Sequence, residues 1–281
     1  DEEVVYQSQR QDAHRQAGDK LLANRAAYRC FCTPEEIAER RDVARREKNE
    51  YKYDRRCLHL SDSEIQSNID SRMPFAVRLK VPGEQISFDD LVHDRITVSG
   101  MEIEDFILLR SDGTPTYMLA VVVDDAEMGI SHIIRGDDHI SNTPKQILIY
   151  RALGLKHPQF VHVPVILGPD KRKLSKRHGA ASVNEYRALG YLPETLINYL
   201  GLLGWSPGDD RNEMTPQELE QQFDIDGVVS HSAVFDESKL RWLNGLYISR
   251  SSFEKVKDEL IGFGEQAVDA GLLEAMPDEA D

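Results

Sequence analysis

Apolar residues recur at helical spacing near the start of the chain. The positions that fall near one face predict a helix over about residues 4–26, and they are Val5, Ala13, Ala17, Leu21 and Leu22. A second helix is predicted to begin at Thr33, which can cap it, with Pro34 at the first helical position and Glu36 completing a capping box. The segment that follows is highly charged as far as Asn49, so we expect this helix to be mostly solvated.

Short apolar or alternating runs predict strands farther along the chain, at residues 76–80, 95–99, 105–109, 132–135 and 160–166. Helices are predicted to start where a first-turn proline follows a capping or apolar residue, at Thr143-Pro144, Leu192-Pro193 and Thr215-Pro216. The first of these ends near Gly154, and a further helical segment lies around residues 252–260. The pattern is therefore α/β between Tyr117 and Leu155, and helical from Val183 onward.

Composition narrows the class of protein. The 281 residues are enough for two or three compact units, and 40% hydrophobic with 30% charged residues is ordinary for a soluble protein. No run of the chain approaches the roughly 18 apolar residues of a membrane helix, and no secretory signal is present. We therefore expect a cytoplasmic protein without a membrane partner.

The charge balance leaves nucleic acid open as a partner. A net charge of −15 opposes binding to phosphates, which is carried by Lys and Arg. However, five of the seven residues at 171–177 are basic, and a locally positive loop on an acidic protein is compatible with a nucleotide or an RNA backbone.

The cysteines suggest a structural zinc site. All three lie in one stretch, as Cys30-Phe31-Cys32 followed by Cys57-Leu58-His59. Two pairs of ligands separated by a helix-sized spacer can form a closed tetrahedral site, which would stabilise a segment poor in apolar residues. The alternative is three unrelated reduced cysteines and a surface histidine, and a disulfide is disfavoured in the cytoplasm. We predict zinc bound by Cys30, Cys32, Cys57 and His59.

A basic loop follows the last predicted strand and the turn at Gly168-Pro169-Asp170. Its core is Lys173-Leu174-Ser175-Lys176-Arg177, and lysines on such a loop can bind a polyphosphate and stabilise charge that develops during transfer. It lacks the glycine frame of a P-loop. Taken alone, a basic pentapeptide is more often a solvated surface loop.

The motifs that precede this loop identify a family. They are, in order, Ser-Asp-Gly-Thr-Pro-Thr-Tyr at 111–117, Val-Val-Asp-Asp at 122–125 and Ile-Arg-Gly-Asp-Asp-His at 134–139. With the loop, which matches a lysine-serine-lysine signature, they resemble the second half of the class I glutamyl-tRNA synthetase catalytic fold. Residues 6–10, the strand with Arg78 and residues 240–244 fit the same family, so the resemblance covers essentially the whole chain. The cysteine pattern occurs in a subset of these enzymes.

The resemblance implies an α/β fold, with the second half of a doubly wound catalytic domain, a zinc-containing α+β insertion and a helical stem-contact region. It divides the chain into the end of the first catalytic half (1–26), an acceptor-end-binding insertion with the zinc knuckle (27–116), the second catalytic half (117–170), a lysine-loop and stem-contact domain (171–250) and the start of an anticodon-binding region (251–281).

The resemblance also implies an activity. Family members activate L-glutamate with ATP and Mg²⁺ to a glutamyl-adenylate and pass the acyl group to tRNA(Glu); we expect a monomer. Carried over by motif, Lys176 contacts the ATP phosphates, with Lys173, Ser175 and Arg177 in support. Tyr117, Arg135, Asp138 and His139 line the glutamate pocket. Tyr117 as an ordinary aromatic, and Arg135 as a structural ion-pair partner of Asp137 or Asp138, are the alternatives.

Two parts of the family are not found in this sequence. A His-x-Gly-His-type motif, which belongs to the first half of the fold, does not occur, and the anticodon-binding region begins about where the chain stops. We therefore expect that these residues alone do not form the adenylate. The other hypotheses are a non-catalytic tRNA- or nucleotide-binding paralogue, and a relative that charges glutamine or loads glutamate onto a modified base.

Overall fold

The computed structural model describes residues 4–174, 182–254, 257 and 261–262. The chain divides into two compact units. The first comprises the residues up to Arg135 together with His139–Val161, and the second comprises Gly136–Asp138 together with the residues from His162 onward.

The elements up to residue 163 are mixed. In chain order they are α1 (Gln11–Ala23), β1 (Ala27–Cys30), α2 (Pro34–Arg46), α3 (Asp62–Asp70), β2 (Ala76–Leu79), β3 (Gln85–Asp90), β4 (Asp94–Ser99), β5 (Ile107–Leu109), α4 (Tyr117–Glu127), β6 (His132–Gly136), α5 (Thr143–Leu153) and β7 (Gln159–Val163). From residue 182 the described elements are helical: α6 (Val183–Ala188), α7 (Pro193–Gly201), α8 (Pro216–Gln222) and α9 (Glu237–Arg250).

The strands form two sheets. An antiparallel three-stranded sheet has the order β1-β2-β5, and its register sets Tyr28 opposite Arg78 and Cys30 opposite Ala76. A four-stranded sheet has the order β4-β3-β7-β6, in which β3 is antiparallel to β4 and parallel to β7. The predicted α/β class is confirmed.

The main core of the first unit lies against these sheets. Fully buried apolar side chains come from α1, α4 and α5 on one side and from the strands on the other, among them Leu21, Leu119, Ile147, Ile86 and Phe160. A separate, smaller cluster consists of Tyr28, Cys30, Phe31, Tyr53 and Cys57. By contrast α2 buries none of its residues, as its charge predicts.

Two buried asparagines organise the second unit. The side-chain oxygen of Asn244 accepts hydrogen bonds from the backbone of Leu192 and the hydroxyl of Thr195, and its amide donates to the Gly190 carbonyl. Asn198 likewise joins α7 to the backbone of residues 212 and 214. Asn244 satisfies backbone groups between α6 and α7, and Asn198 satisfies those of the loop before α8, so both asparagines fix how these segments pack.

Several helices and strands have bounds that differ from those predicted. The predicted helix over residues 4–26 is a one-turn 3-10 helix, Gln7–Gln9, followed by α1, and the predicted strands at 105–109 and 160–166 are shorter as β5 and β7. The strands β1 and β3 and the helices α3 and α4 were not predicted. The capping box at Thr33 and Glu36 is confirmed. Among the helices in the described ranges, none is long and apolar enough to cross a membrane.

Two glycines give opposite predictions. A methyl group at Gly100, after β4, would overlap the carbonyl oxygen of Pro82 and come within 2.6 Å of that of Glu84. Gly100→Ala should therefore lower the free energy of unfolding by about 2 kcal/mol.

Gly245 is exposed within α9 and has open space around it. Gly245→Ala should therefore raise the free energy of unfolding by about 0.5–1 kcal/mol.

Urea denaturation tests both. Far-UV circular dichroism follows the Gly100 variant, whereas fluorescence follows the Gly245 variant, since both tryptophans, Trp205 and Trp242, lie in the second unit. A Gly100 variant with an unchanged midpoint would contradict the close backbone approach.

Candidate metal centre and carboxylate-binding residues

The three cysteines lie together in the structure. Their Sγ atoms all lie within 4.8 Å of one another, and those of Cys32 and Cys57 are 3.6 Å apart. Cys30 is carried by the end of β1, and Cys57 by a one-turn 3-10 helix, Arg56–His59. Zinc–sulfur bonds of about 2.3 Å at tetrahedral angles separate neighbouring sulfurs by about 3.8 Å. The sulfur spacing therefore fits a zinc ion.

Tyr53 supplies a fourth donor atom that the sequence analysis missed. Its hydroxyl lies 3.2 Å from Cys30 Sγ and 3.6 Å from Cys32 Sγ, and the side chain is buried. His59, the predicted fourth ligand, is exposed, and within the described part of the chain it does not join the group of mutually close ligand atoms. The available signal was a tyrosine four residues before Cys57, which carries little weight by itself.

The buried guanidinium of Arg78 lies next to this donor set, against the Tyr53 ring. The guanidinium of Arg78 stacks 4.0 Å from the centre of the Tyr53 ring and donates to the Asp105 carbonyl at 2.8 Å. Arg78 is only 7% exposed, which is unusual for an arginine and requires compensation. Arg40 approaches from α2, with Nη1 3.9 Å from Cys32 Sγ.

The Asp105 carboxylate fixes the loop that carries Cys57. It is fully buried and accepts from the Tyr28 hydroxyl, from Arg55 Nη2 and from the Val81 backbone, each at 2.8 or 2.9 Å. Arg55 has a left-handed backbone, with φ of 57°, at the start of the turn bearing Cys57. The two hydrogen bonds of Arg55, to Asp105 and to the Val81 carbonyl, hold this uncommon conformation in place.

These surroundings favour a thiolate at Cys30. A hydrogen bond from Cys57 lowers the pKa of the Cys30 thiol to about 4, with further hydrogen bonds from Tyr53 and Arg78 outweighing burial. Burial, followed by the hydrogen bond to Cys30, raises the pKa of the Tyr53 hydroxyl. Thiolates are the ligand form that metals bind, so the direction of this pKa shift favours metal binding.

Arg135 lies at the carboxyl end of β6. Its Nη2 donates to Thr143 Oγ1 at 2.7 Å and to Gln146 Oε1 at 2.9 Å. Both acceptors are buried in the first turns of α5, so they fix the plane of the guanidinium. Burial, followed by the charge of Asp124, raises the pKa of Asp125, and the same arginine partly offsets this rise. A fixed guanidinium at this end of a strand is suited to binding a carboxylate.

The other predicted pocket residues differ in their local surroundings. Tyr117, the first residue of α4, is 48% exposed, and His139 Nδ1 lies 3.1 Å from the amide of Asn142. Asp138 accepts from Lys173 Nζ at 2.6 Å in an exposed ion pair.

The lysine loop begins as a tight hairpin. Gly168 and Arg172 are joined by a backbone hydrogen bond of 2.8 Å, and Leu174 donates to Ile166, which leaves Lys173 exposed at the side of the hairpin. Ser175, Lys176 and Arg177 lie outside the described residues.

A groove opens beside the cysteines, with a volume of about 680 Å³. Its apolar wall includes Phe31, Ile37 and Phe106, and basic residues also line it. The basic residues are Arg41, Arg45, Arg78 and Arg110. Aromatic and guanidinium planes next to each other can stack a base and pair with its phosphate.

Asp124, in the Val-Val-Asp-Asp motif, anchors α1. It accepts from Arg10 Nε at 2.6 Å, from the fully buried His14 at 2.8 Å and from Gln7. Burial would raise the pKa of this carboxyl, but the hydrogen bonds from Arg10 and His14 hold it below its usual value. The motif therefore has a structural role in joining α1 to α4.

Comparisons with known proteins show which family the sequence resembles. Residues 1–242 match the family model of class I tRNA synthetases (E and Q), catalytic domain. The chain is 51% identical over 249 residues to a glutamate–tRNA ligase of Aquifex aeolicus, and 48% identical over 279 residues to one of Geobacter sulfurreducens. These alignments take in 88% and 99% of the chain but only 53% and 58% of the two relatives, so the chain spans little more than half of their length.

Solved structures give the same result. A glutamate–tRNA synthetase from Elizabethkingia anophelis superposes with a TM-score of 0.86 at 30% identity, over 97% of this chain and 59% of that one. A glutamate–tRNA ligase from Elizabethkingia meningosepticum, solved in complex with its amino acid, superposes with a TM-score of 0.87 at 29% identity, over 99% and 60%.

The Asp124 contacts predict a pH-dependent stability. Because the folded-state pKa of Asp124 is lowered, its contribution is complete above the unfolded value of about 4 and is lost as the pH falls through the folded value. Asp124→Asn should therefore lower the free energy of unfolding by about 2 kcal/mol at pH 7, and by progressively less below about pH 4. Urea denaturation at pH 7 and at pH 3 measures this, and an equal loss at both pH values would show that the carboxylate charge is not what matters.

Proposed function

The chain belongs to the class I tRNA synthetase family of the glutamate and glutamine enzymes, and we propose that a protein containing it attaches L-glutamate to tRNA(Glu) using ATP and Mg²⁺. The observation that carries this proposal is the placement of Arg135 at the carboxyl end of β6, with its guanidinium held by Thr143 and Gln146. In α/β sheets this edge is where ligands bind. The relatives compared above are named as glutamate enzymes, which disfavours a non-catalytic paralogue.

The proposed chemistry has two steps. A carboxylate oxygen of glutamate attacks the α-phosphorus of ATP, forming a carbon–oxygen–phosphorus linkage as the bond to pyrophosphate breaks. A ribose hydroxyl of the terminal adenosine of tRNA then attacks the acyl carbon, and AMP leaves with the bonding electron pair. Positioning and charge stabilisation do most of the work in such transfers.

Residues of this chain have distinct roles in the proposal. Arg135 holds a carboxylate of the amino acid through two parallel hydrogen bonds, and Tyr117, Asp138 and His139 shape the same pocket. Lys173 exchanges its ion pair with Asp138 for the ATP phosphates, and Ser175, Lys176 and Arg177 add further contacts to them. A lysine suits this task because its compact charge follows a moving phosphate.

The insertion is proposed to receive the acceptor end of the tRNA. The groove beside the cysteines combines Phe31 and Phe106 with the guanidinium groups of Arg41, Arg45 and Arg110. Phosphate contacts by arginines position an RNA, and aromatic rings stack on unpaired bases. We place the protein in the cytoplasm as a monomer.

A structural zinc ion completes the proposal. Cys30, Cys32 and Cys57 would hold it, with the Tyr53 oxygen as the fourth donor in place of His59, because Tyr53 already contacts two of the sulfurs. Four protein donors leave no open position, so the ion would hold the insertion together and would take no part in catalysis.

A chimeric enzyme tests the activity. This chain replaces the matched 279 residues of the Geobacter sulfurreducens relative, and the product should charge tRNA(Glu) with radiolabelled glutamate. Arg135→Gln in the chimera should lower kcat/KM by about 100-fold, mainly through a higher KM for glutamate, because one hydrogen-bonded charge pair is lost. Arg211→Gln, which removes an exposed arginine paired with Asp209, is the matched control and should leave the kinetics unchanged.

Two results would contradict this proposal. One is a folded chimera that binds tRNA but does not charge it, and the other is an Arg135→Gln variant with an unchanged KM for glutamate. The 281-residue chain alone should give no ATP–pyrophosphate exchange, because the His-x-Gly-His-type motif does not occur in it.

Elemental analysis of the purified chain tests the metal centre. One equivalent of zinc is expected, lost in Cys57→Ser and weakened in Tyr53→Phe, because the latter removes only the oxygen donor. His59→Gln should keep zinc with unchanged affinity, since His59 is exposed and apart from the donor group. Zinc lost from His59→Gln but retained by Tyr53→Phe would restore the histidine as the ligand.

A further inference from the structure

We propose that Arg78, and more weakly Arg40, balance the charge of the metal centre and thereby set its affinity for a divalent ion. This inference rests on the metal centre of the proposed function and goes beyond its ligand set. A divalent ion bound by three thiolates carries a net charge of about −1, and of about −2 when the phenol oxygen is also ionised. A buried anion of this kind is costly unless opposite charge lies next to it.

Arg78 is placed to supply that charge. It lies on β2, opposite Tyr28 of β1, the strand whose last residue is Cys30. Its guanidinium stacks on the Tyr53 ring at 4.0 Å and donates to the Asp105 carbonyl, so its position is fixed from two sides. Its Nε is buried and has no hydrogen-bond partner among the residues that the structure describes.

The Nε of Arg29 is also buried and without a partner among the described residues, so the informative feature of Arg78 is its burial against Tyr53 of the donor set. Buried donors are almost always satisfied, and fixing a buried arginine with one donor unused has to be offset elsewhere. The negative charge of the thiolates and of the phenol oxygen in an occupied metal centre would attract the guanidinium. The face of the Tyr53 ring attracts it as well, and together these interactions offset the cost of burying it. If Arg78 served only to fill space in the core, the aliphatic part of its side chain would be enough, and the buried guanidinium would not be needed.

Arg40 makes a weaker contribution. Its Nη1 lies 3.9 Å from Cys32 Sγ, but it is also within 3.3 Å of Asp54 Oδ2, and the side chain is 24% exposed. Solvent and the competing carboxylate therefore reduce its effect on the sulfur. The neighbouring cations are committed elsewhere: Arg55 binds Asp105, and Arg29 lies over the Phe75 ring.

Competition with a chromophoric zinc chelator measures the affinity of the purified 281-residue chain. Arg78→Met should weaken zinc binding by 10- to 100-fold, the range found for residues that support metal ligands. Arg78→Lys keeps the positive charge but loses the planar group that stacks on Tyr53. Its zinc affinity should therefore lie between those of the unsubstituted chain and of Arg78→Met. Arg40→Met should weaken binding by no more than about 5-fold, in keeping with an exposed pair.

Arg29→Met is the matched control. Arg29 is on the adjacent strand β1, and its guanidinium lies over the Phe75 ring, 5.3 Å from the centre, whereas that of Arg78 lies over Tyr53. Its zinc affinity should equal that of the unsubstituted chain. Melting temperatures in zinc and in a chelator add a second readout: Arg78→Met should shrink the stabilisation that zinc confers, because ligand binding to the folded state is what raises the melting temperature.

The outcomes separate the two levels of the proposal. An unsubstituted chain that binds no zinc contradicts the metal centre itself. A chain that binds zinc, but whose Arg78→Met variant binds it equally tightly and melts lower by the same amount with and without zinc, overturns this inference and leaves Arg78 a packing residue. If Arg78→Met does not fold, affinities of Arg78→Lys and Arg40→Met that both equal that of the unsubstituted chain overturn it as well.

Discussion

Two buried charges, the guanidinium of Arg78 and the carboxylate of Asp105, determine how the insertion is built. Asp105 is fully buried and accepts from a tyrosine hydroxyl, an arginine and a backbone amide, while Arg78 donates to the backbone of the same residue. Removing any partner would leave a charge or donor without compensation in a region of low dielectric, which costs more than the bond itself contributes. The network therefore admits few alternatives to the observed arrangement of β1, β2 and the Cys57 turn.

The region around the cysteines depends on such contacts because its own apolar cluster is small. That cluster contains five buried residues, two of them cysteines, and the charged helix α2 adds none. Few apolar groups remain to offset the entropy lost on folding, so the segment requires specific polar contacts and, in our proposal, a metal ion. The same reasoning explains why an arginine with a left-handed backbone is tolerated at position 55: its two hydrogen bonds hold it.

Several local signals in the sequence were reliable, whereas most contacts between distant residues were not predicted. The capping box at Thr33 and the prolines at the starts of α5 and α8 follow from a few neighbouring residues, and the structure confirms them. The spacing of the cysteines predicted that they meet. Tyr53 could not be separated from other tyrosines, because its role depends on Cys30, 23 residues away, and on Arg78, 25 residues away. The strand β3 was missed since its acidic end obscures the alternation.

The two kinds of positive charge proposed to meet the substrates differ in how they are held. Arg135 has a guanidinium fixed by two buried acceptors on α5, so little conformational entropy remains to be lost when a carboxylate binds. Lys173 has an exposed ion pair with Asp138, and such pairs contribute little to stability. A phosphate can therefore displace Asp138 at small cost. A guanidinium held in one orientation suits the recognition of one amino acid. A lysine that can change its ion-pair partner suits a polyphosphate whose charge distribution changes during the reaction.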